Sequence, residues 1–521
     1  MIYIKMYRFL FVLFLVGITA CPNTKKEGKQ LQKDINNELV IGIENAPANL
    51  DPRFATDAYA IRIGKLIFPG LVTLDENFKP KPLIAEKIET LNDTTYMITL
   101  KKGVRFHDGQ ELTASDVEYT FKSIMDPELK SPHASGFQKI NKIEVLDPYT
   151  LKITLNEPFA PFEEQILVFG IIPKHVAENL KDKFNTNPIG AGAFKFEKQL
   201  DGGDVYLVKN TNYFETPPHI DRLIFKVIPD VTVRMLELLK GSIDLTQNAL
   251  PQTLLERFKN SDKVNVMYSP SASLTYIGFN LNDPMLKNSK VRKAIAYAIN
   301  REDIIKYKFE GHATLARGAL GPINWAYESN VSTYEHNVEK AKKLLDEAGY
   351  KDPDGDGPKA RFELVFKTST EKERIDIAKI YIDNLKNVGI QLSLRTHEWG
   401  VFFTDIQEGN FHLFSLKWPF VAYPDFLYYI FHTKSFPPNG ANRGRYTNAE
   451  VDKLLDQSRK ELDRGKQKEI FSKLQNILAD ELPYIFLWHE ENNAVVNKRV
   501  KNYTLSASGD FQSLINSSIS E

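Results

Sequence analysis

Residues 95–117 read TYMITLKKGVRFHDGQELTASDV. Tyr96, Ile98 and Leu100 alternate with Thr95, Met97 and Thr99, the period-two pattern of a half-buried strand, and the charged, glycine-bearing run after it ends the strand in a turn. Thr113-Ala-Ser-Asp116 then resembles a capping box, opening a helix with Val117, Thr120 or Phe121, and Ile124 on one face. The same handover from strand to turn to helix recurs outward along the chain. Leu39–Ile43 reads as a short buried strand running into the Pro/Asn turn Asn45–Pro52, and Leu151, Ile153 and Leu155 repeat the alternation. Further strands are expected at Arg222–Ile228, Leu274–Phe279, Arg361–Phe366 and Ile390–Leu394. Apolar spacings of three and four place helices at Val291–Ile299 and Val338–Ala348, the second starting at Asn337 and stopping at Gly349. A strand–helix–strand rhythm with interspersed antiparallel pairs argues a multi-domain α/β protein.

Composition narrows the class. Lysine plus arginine equals aspartate plus glutamate at 67 each in 521 residues, which gives no reason to expect a nucleic-acid partner or an acidic membrane surface. At the start, Lys5 and Arg8 precede the apolar run Phe9–Val16 and then Gly17-Ile-Thr-Ala-Cys21, a secretory signal too short and wrongly flanked for a membrane span. The small residues before Cys21 look like a bacterial lipobox with Ile18 where leucine is more usual. That implies cleavage before Cys21 and lipid on its sulfur, against the alternative of an ordinary signal peptide with an incidental cysteine. Cys21 is the only cysteine, so the mature protein has neither an internal disulfide nor a cysteine nucleophile. Residues 22–37 are polar and lysine-rich, the composition of a flexible tether.

The stretch from Trp399 to Asp425, WGVFFTDIQEGNFHLFSLKWPFVAYPD, holds two of the four tryptophans. Within it FHLFSLKW alternates like a strand, with Phe411 and Leu413 on one face and His412, Phe414 and Leu416 on the other, and runs into a Pro-broken aromatic loop. Aromatics on a loop at a strand end suit the wall of a ligand cleft; packed core is the competing reading.

In series, several stretches resemble one family, the extracytoplasmic solute-binding proteins of peptide and nickel ABC importers (solute-binding family 5). They are Asn49-Leu-Asp-Pro52, the 95–117 stretch, Asn187-Pro-Ile-Gly-Ala-Gly-Ala-Phe194, Gly241–Asp244, Phe279-Asn280, Val291–Ala298, Arg445–Asp452 and Leu482–Phe486. The resemblance implies a non-enzymatic, monomeric protein of α/β class with the two-lobed periplasmic-binding-protein type II (Venus-flytrap) fold and an extra α/β subdomain inserted in the first lobe. The boundaries it suggests are a signal peptide at 1–20 and a lipidated cysteine and tether at 21–38. Lobe I would comprise 39–72, 186–269 and 490–521, the inserted subdomain 73–185, and lobe II 270–489.

The family's ligand site carries over with gaps. Thr56 and Ala58 match a segment that pairs with peptide backbone, Trp399 and Trp418 match cleft tryptophans, Phe486 and Trp488 fall near the aromatic wall by the second lobe crossing, and Asn280 and Tyr423 join the candidates. Where the family carries an aspartate that pairs with a peptide's amino terminus, this chain has Val421 or Ala422. Asp425 survives, but it is not the family's anchor. The glycine before the second tryptophan is Lys417, and an arginine frequent between the tryptophans is Ile406. A buried ammonium without a carboxylate is costly, so Lys417, with Arg443 and Arg445, suits an anionic group, unless these bases are solvated surface.

Asp352-Pro-Asp354-Gly-Asp356-Gly357 with Glu363 has the spacing of a calcium loop, but a strand rather than a helix follows and a plain turn is the alternative. No GxSxG, Walker or HExxH motif occurs, and no resident cofactor is expected. The expected partners are a peptide or other small solute, an ABC permease, and the lipid bilayer through Cys21, on the periplasmic side or at the outer cell surface. Two other functions compete: the same scaffold binding a nickel chelate, haem or saccharide, and a surface lipoprotein acting as adhesin or chaperone.

Overall fold

The computed structural model describes residues 37–355 and 357–520; the leader, Cys21 and the tether up to residue 36 lie outside the described residues, and Glu38, expected to end the tether, already opens the first strand. Three sheets organise the chain. A seven-stranded sheet has the order 264–269, 492–497, 245–247, 38–43, 222–227, 205–209 and 194–199. Glu38–Ile43 is parallel to both of its neighbours, and the remaining pairs are antiparallel. Leu39, Ile41 and Ile43 of that central strand are fully buried, and Tyr59, Ile63 and Leu66 of the helix Ala58–Ile67 pack into the same core.

The four-stranded antiparallel sheet, ordered 85–92, 95–100, 150–155 and 140–147, lies in sequence between strands of the first. Thr95–Leu100 alternates half-buried and buried residues as its sequence predicts. Ala114–Met125 packs Val117, Thr120, Phe121 and Ile124 inward. At its start Asp116 Oδ2 accepts from the Thr113 backbone N–H at 2.9 Å and from the Thr113 hydroxyl at 3.0 Å, so Asp116 supplies the reciprocal half of the box.

The second large sheet has six strands in the order 313–315, 484–490, 274–279, 413–418, 362–369 and 390–397. Phe362–Ser369 and Ile390–His397 run parallel, joined through the helix Lys372–Lys386. Strands 274–279 and 484–490 are buried nearly throughout, which is what helices on both faces produce. Leu413 enters one core with Val291 and Ala341, while Phe414 and Leu416 enter the other with Phe402 and Leu474.

The chain passes between the two large sheets at two adjacent places. Val264–Ser269 of the seven-stranded sheet leads through Pro270–Ser273 into Leu274–Phe279 of the six-stranded one. Tyr484–Glu490 leads through Glu491 into Asn492–Asn497, in the opposite direction. The crossings are tied together: the Ser271 and Ser273 hydroxyls both donate to the Glu490 carbonyl, and His489 Nδ1–H donates to the Ser273 carbonyl at 2.6 Å.

Two family-like motifs interlock at the back of the first core. His107 Nδ1 accepts from the Gly190 N–H at 3.2 Å, and His107 Nε2–H donates to the Gly192 carbonyl at 3.1 Å. Gly190 and Gly192 press against the end of the helix Ala58–Ile67, where a Cβ on either would overlap the Ile67 carbonyl. No other residue type permits that approach.

Candidate functional site

The strands nearest the crossings carry a continuous ladder of rings and guanidinium groups. Tyr484 stacks on Tyr276 at 4.1 Å, and Tyr276 lies parallel to Trp418 at 6.0 Å. The Arg443 guanidinium sits 4.8 Å from the Trp418 ring and 5.2 Å from Phe403. Phe403 stacks on Trp399 at 5.9 Å, and Arg374 covers the outer face of Trp399 at 5.8 Å. Trp399 is 48% exposed and Tyr429, edge-on to Trp418, is 43% exposed. Trp399, Trp418 and Arg443 are therefore brought together through Phe403.

The helix Trp399–Glu408 makes this possible: Glu398 caps it by accepting from the Gly400 N–H at 2.7 Å, and Phe402 and Ile406, four residues apart, anchor it in the core. That leaves Trp399 and Phe403 on a more open face. Sequence reasoning missed Tyr276, Phe403, Gln407, Tyr429 and Tyr484. Phe403 lay inside the quoted aromatic stretch, but only the helix assignment pairs it with Trp399.

The charges on this wall are mostly matched. Lys417 bonds Glu490 at 2.6 Å, and Glu490 also accepts from Thr275 at 2.8 Å. Burial would raise the Glu490 carboxyl, but the Lys417 ammonium and these hydrogen bonds hold it below its ordinary value. Glu373 nearby is pushed up by burial and by the charges of Glu490 and Glu371. From the seven-stranded sheet's side, Glu44 is raised by burial, opposed chiefly by Arg234 at 3.8 Å, with Glu371 and Lys417 of the other lobe also acting on it. The Lys417 charge thus reaches Glu44 on the first lobe. Thr56 and Ala58 are exposed on the first lobe, flanking Asp57, which caps the helix that follows.

Several expected site residues have structural duties instead. Trp488 is fully buried against Phe309 and belongs to the core, as does Phe486; a strand buried on both faces offers no cleft-facing side there. Asp425 accepts from Arg459 at 2.6 and 2.9 Å and from Gln165 at 2.9 Å, so its carboxylate is already taken. Asn280 holds the carbonyls of Gly409 and Phe411, and Arg445 bonds the Gln407 carbonyl and covers Phe436. Ala422 is buried with Ala272 and Phe78, its carbonyl accepting from Asn324 at 2.7 Å, and Tyr423 packs beside them.

The Asp352–Glu363 loop does not gather its acids. Asp352 accepts from Asp354 N and Gly355 N, Asp354 accepts from Lys359 N, and Glu363 accepts from the Ser393 hydroxyl on the neighbouring strand. Asp356 lies outside the described residues. Among the described residues no cluster of histidine, cysteine or acidic side chains suited to a metal ion is found.

On the rim, residues 157–165 meet residues that follow the six-stranded sheet's Leu413–Trp418 strand. Glu157 pairs with Lys460 at 3.0 Å, Glu164 with Arg464 at 2.9 Å, and Gln165 with Asp425, while Ala160 N donates to the Arg459 carbonyl at 2.7 Å. Phe78 packs edge-on against Phe420 at 5.6 Å.

Two α/β lobes linked by paired crossings define a two-lobed binding protein of the type II class. The chain belongs to the bacterial extracellular solute-binding proteins, family 5, whose model matches residues 79–439; these are solute binders rather than catalysts. It is 29% identical over 526 residues to the oligopeptide-binding protein AppA of Bacillus subtilis (strain 168), covering 96% of both chains. It is 28% identical over 502 residues to the dipeptide-binding protein of Escherichia coli (strain K12), covering 90% of this chain and 92% of that one. The solved structure of the Bacillus subtilis AppA with a nonapeptide superposes with a TM-score of 0.80, covering 93% of this chain and 99% of that one. NikZ from Campylobacter jejuni with Ni(L-His) superposes at 0.81 with 29% identity, covering 92% and 99%. No helix among the described residues is long and apolar enough to cross a membrane.

Proposed function

We propose that this protein is the solute-capturing subunit of an ABC importer and that its lobes close over an oligopeptide or a related small solute. In this reading it works outside the cytoplasmic membrane, as a monomer held by lipid on Cys21. The lobe boundaries proposed are 39–72, 186–269 and 490–521 for the first, 73–185 for its inserted subdomain, and 270–489 for the second. The observation that carries the reading is the exposed Trp399 joined through Phe403 and Arg443 to Trp418. Flat apolar faces bury ligand surface with little demand on its sequence, while fixed polar groups set its orientation. Relatives named for oligopeptides and dipeptides favour a peptide.

Native mass spectrometry of protein purified without refolding tests the reading, because cleft ligands co-purify. A ladder of peptide masses is expected. A nickel chelate, haem or sugar mass would replace the peptide with that solute, and an empty cleft in protein challenged with peptides would refute capture. Trp418→Ala should weaken ligand binding about thirtyfold, on the order of 2 kcal/mol for a buried aromatic anchor.

A further inference from the structure

A ring pair next to the crossings also joins the two large sheets. Val264–Ser269 is the outermost strand of the seven-stranded sheet and Ala313–Leu315 the outermost of the six-stranded one. Tyr268 on the first and His312 just before the second stack face to face, their centroids 3.6 Å apart and their planes within 8° of parallel. The Tyr268 hydroxyl accepts from Gln252 at 2.9 Å, which fixes that ring from the seven-stranded sheet's side. His312 grips the crossing residue Glu491 twice: its Nδ1–H donates to the carboxylate at 2.8 Å, and its carbonyl accepts from the Glu491 N–H at 3.1 Å. The turn that delivers His312 is strained. Glu310 has a φ of +51° and Gly311 one of +86°, and a left-handed residue other than glycine persists where surrounding contacts over-determine it. Lys259, which pairs with Glu256, also reaches Glu310 at 3.9 Å. One side chain thus touches both the strand that enters the first crossing and the single residue of the second.

We infer that His312 is a positioning residue for lobe closure: through Tyr268 and Glu491 it holds the two sheets at the angle at which residues 157–165 meet residues 425–464. Lobes close by turning about their crossings, where a few residues absorb the change. The stack bridges the sheets instead of lying within either, so turning slides its faces apart, and a gap of about 1 Å already forfeits up to half of such contact energy. The Glu491 bonds meanwhile oppose the backbone rotation that the crossing has to absorb. The ligand-free protein therefore spends more of its time with the lobes together than its binding surfaces alone would allow, and affinity rises with that fraction. His312 is no part of the aromatic wall, so it acts on affinity without touching solute. The inference rests on the lobe closure proposed above.

The test places spin labels on Lys122→Cys and Lys473→Cys, exposed helix positions in the inserted subdomain and in lobe II, in Cys21→Ser protein, which has no other cysteine. Distances between the labels report the lobe placement without any ligand. His312→Leu should move them outward, Tyr268→Leu should do so less, and the double variant no more than His312→Leu alone. Tyr268→Phe, which keeps the ring, should match the parent. Retention of a pool of two- to nine-residue peptides, titrated by native mass spectrometry, should weaken about fivefold in His312→Leu, the effect of one hydrogen bond and one stacked pair on the lobe equilibrium. Unchanged distances in His312→Leu overturn the inference. A lowered thermal midpoint without a change of distance makes His312 a packing residue and also overturns it. Additive shifts from the two single variants do the same, since the rings would then act separately. Outward distances with unchanged retention overturn its part in affinity. Outward distances with no peptide retained by any of the proteins uphold the brace and refute peptide capture.

Discussion

His107 makes the interlock of the two family-like motifs titratable. Burial pushes its imidazole from 6.5 down to about 4, with the nearby Lys195 also lowering it. The neutral ring is the form the fold requires, since Nδ1 must accept from Gly190 while Nε2–H donates to Gly192. In the unfolded chain the ring protonates near its ordinary value, so the unfolded state binds the extra proton first as pH falls. The contribution is therefore intact above about pH 6.5 and is lost progressively toward pH 4. With about 1.4 kcal/mol per pH unit of separation, lowering the pH from 7 to 4.5 should cost roughly 2 kcal/mol through this residue. His489, likewise held down to about 4 by burial, adds a loss of the same sign. The assay is urea unfolding at several pH values between 4.5 and 7.5, for the wild type and for His107→Gln, which titrates at no pH in that range. The carboxylates common to both proteins cancel in the difference. The wild type should lose roughly 2 kcal/mol more than the variant across that range; parallel profiles would refute the argument.

Three further outcomes follow from geometry. Gly190→Ala drives a methyl into the Ile67 carbonyl and should destabilise by more than about 3 kcal/mol, read as loss of soluble expression or a collapsed thermal midpoint; a wild-type midpoint would contradict the packing. Ala422→Asp buries an acid among Phe78, Ala272 and Phe420 and should lower stability by about 2 kcal/mol or more without creating an amino-terminal anchor; a gain in affinity for free over acetylated peptides in calorimetry would show the opposite. Cys21→Ser should yield an exported protein that no longer partitions with membranes, and unchanged partitioning in a fractionation assay would remove the lipid anchor.

The fold was legible wherever one face of an element is buried and the other is not. Tyr96, Ile98 and Leu100 announce their strand because Thr95, Met97 and Thr99 face the other way, and Asn337 announces its helix because its side chain accepts from Lys340 N. The signal fails where burial is two-sided: in Tyr484–Glu490 nearly every residue is buried, so period two vanishes and Trp488 could not be told from a wall residue. Charges were the hardest to read. Lys417 and Asp425 looked available because Glu490 and Arg459 lie 73 and 34 residues away, a separation that spacing rules do not reach. Arg443 was legible as a base, but its place between the Trp418 and Phe403 rings was not.

The contacts Glu157–Lys460, Glu164–Arg464 and Gln165–Asp425 must part if residues 157–165 separate from residues 425–464. Separating that edge also parts Phe78 from Phe420 and Arg459 from the Phe159 ring, so apolar surface is hydrated along with the charged groups and the step raises the heat capacity. Dissolved ions compete for the exposed Glu157–Lys460 pair, while Glu164 and Asp425 are buried. Solute escape should therefore quicken with ionic strength, making the residence time a property of the surrounding medium as much as of the ligand.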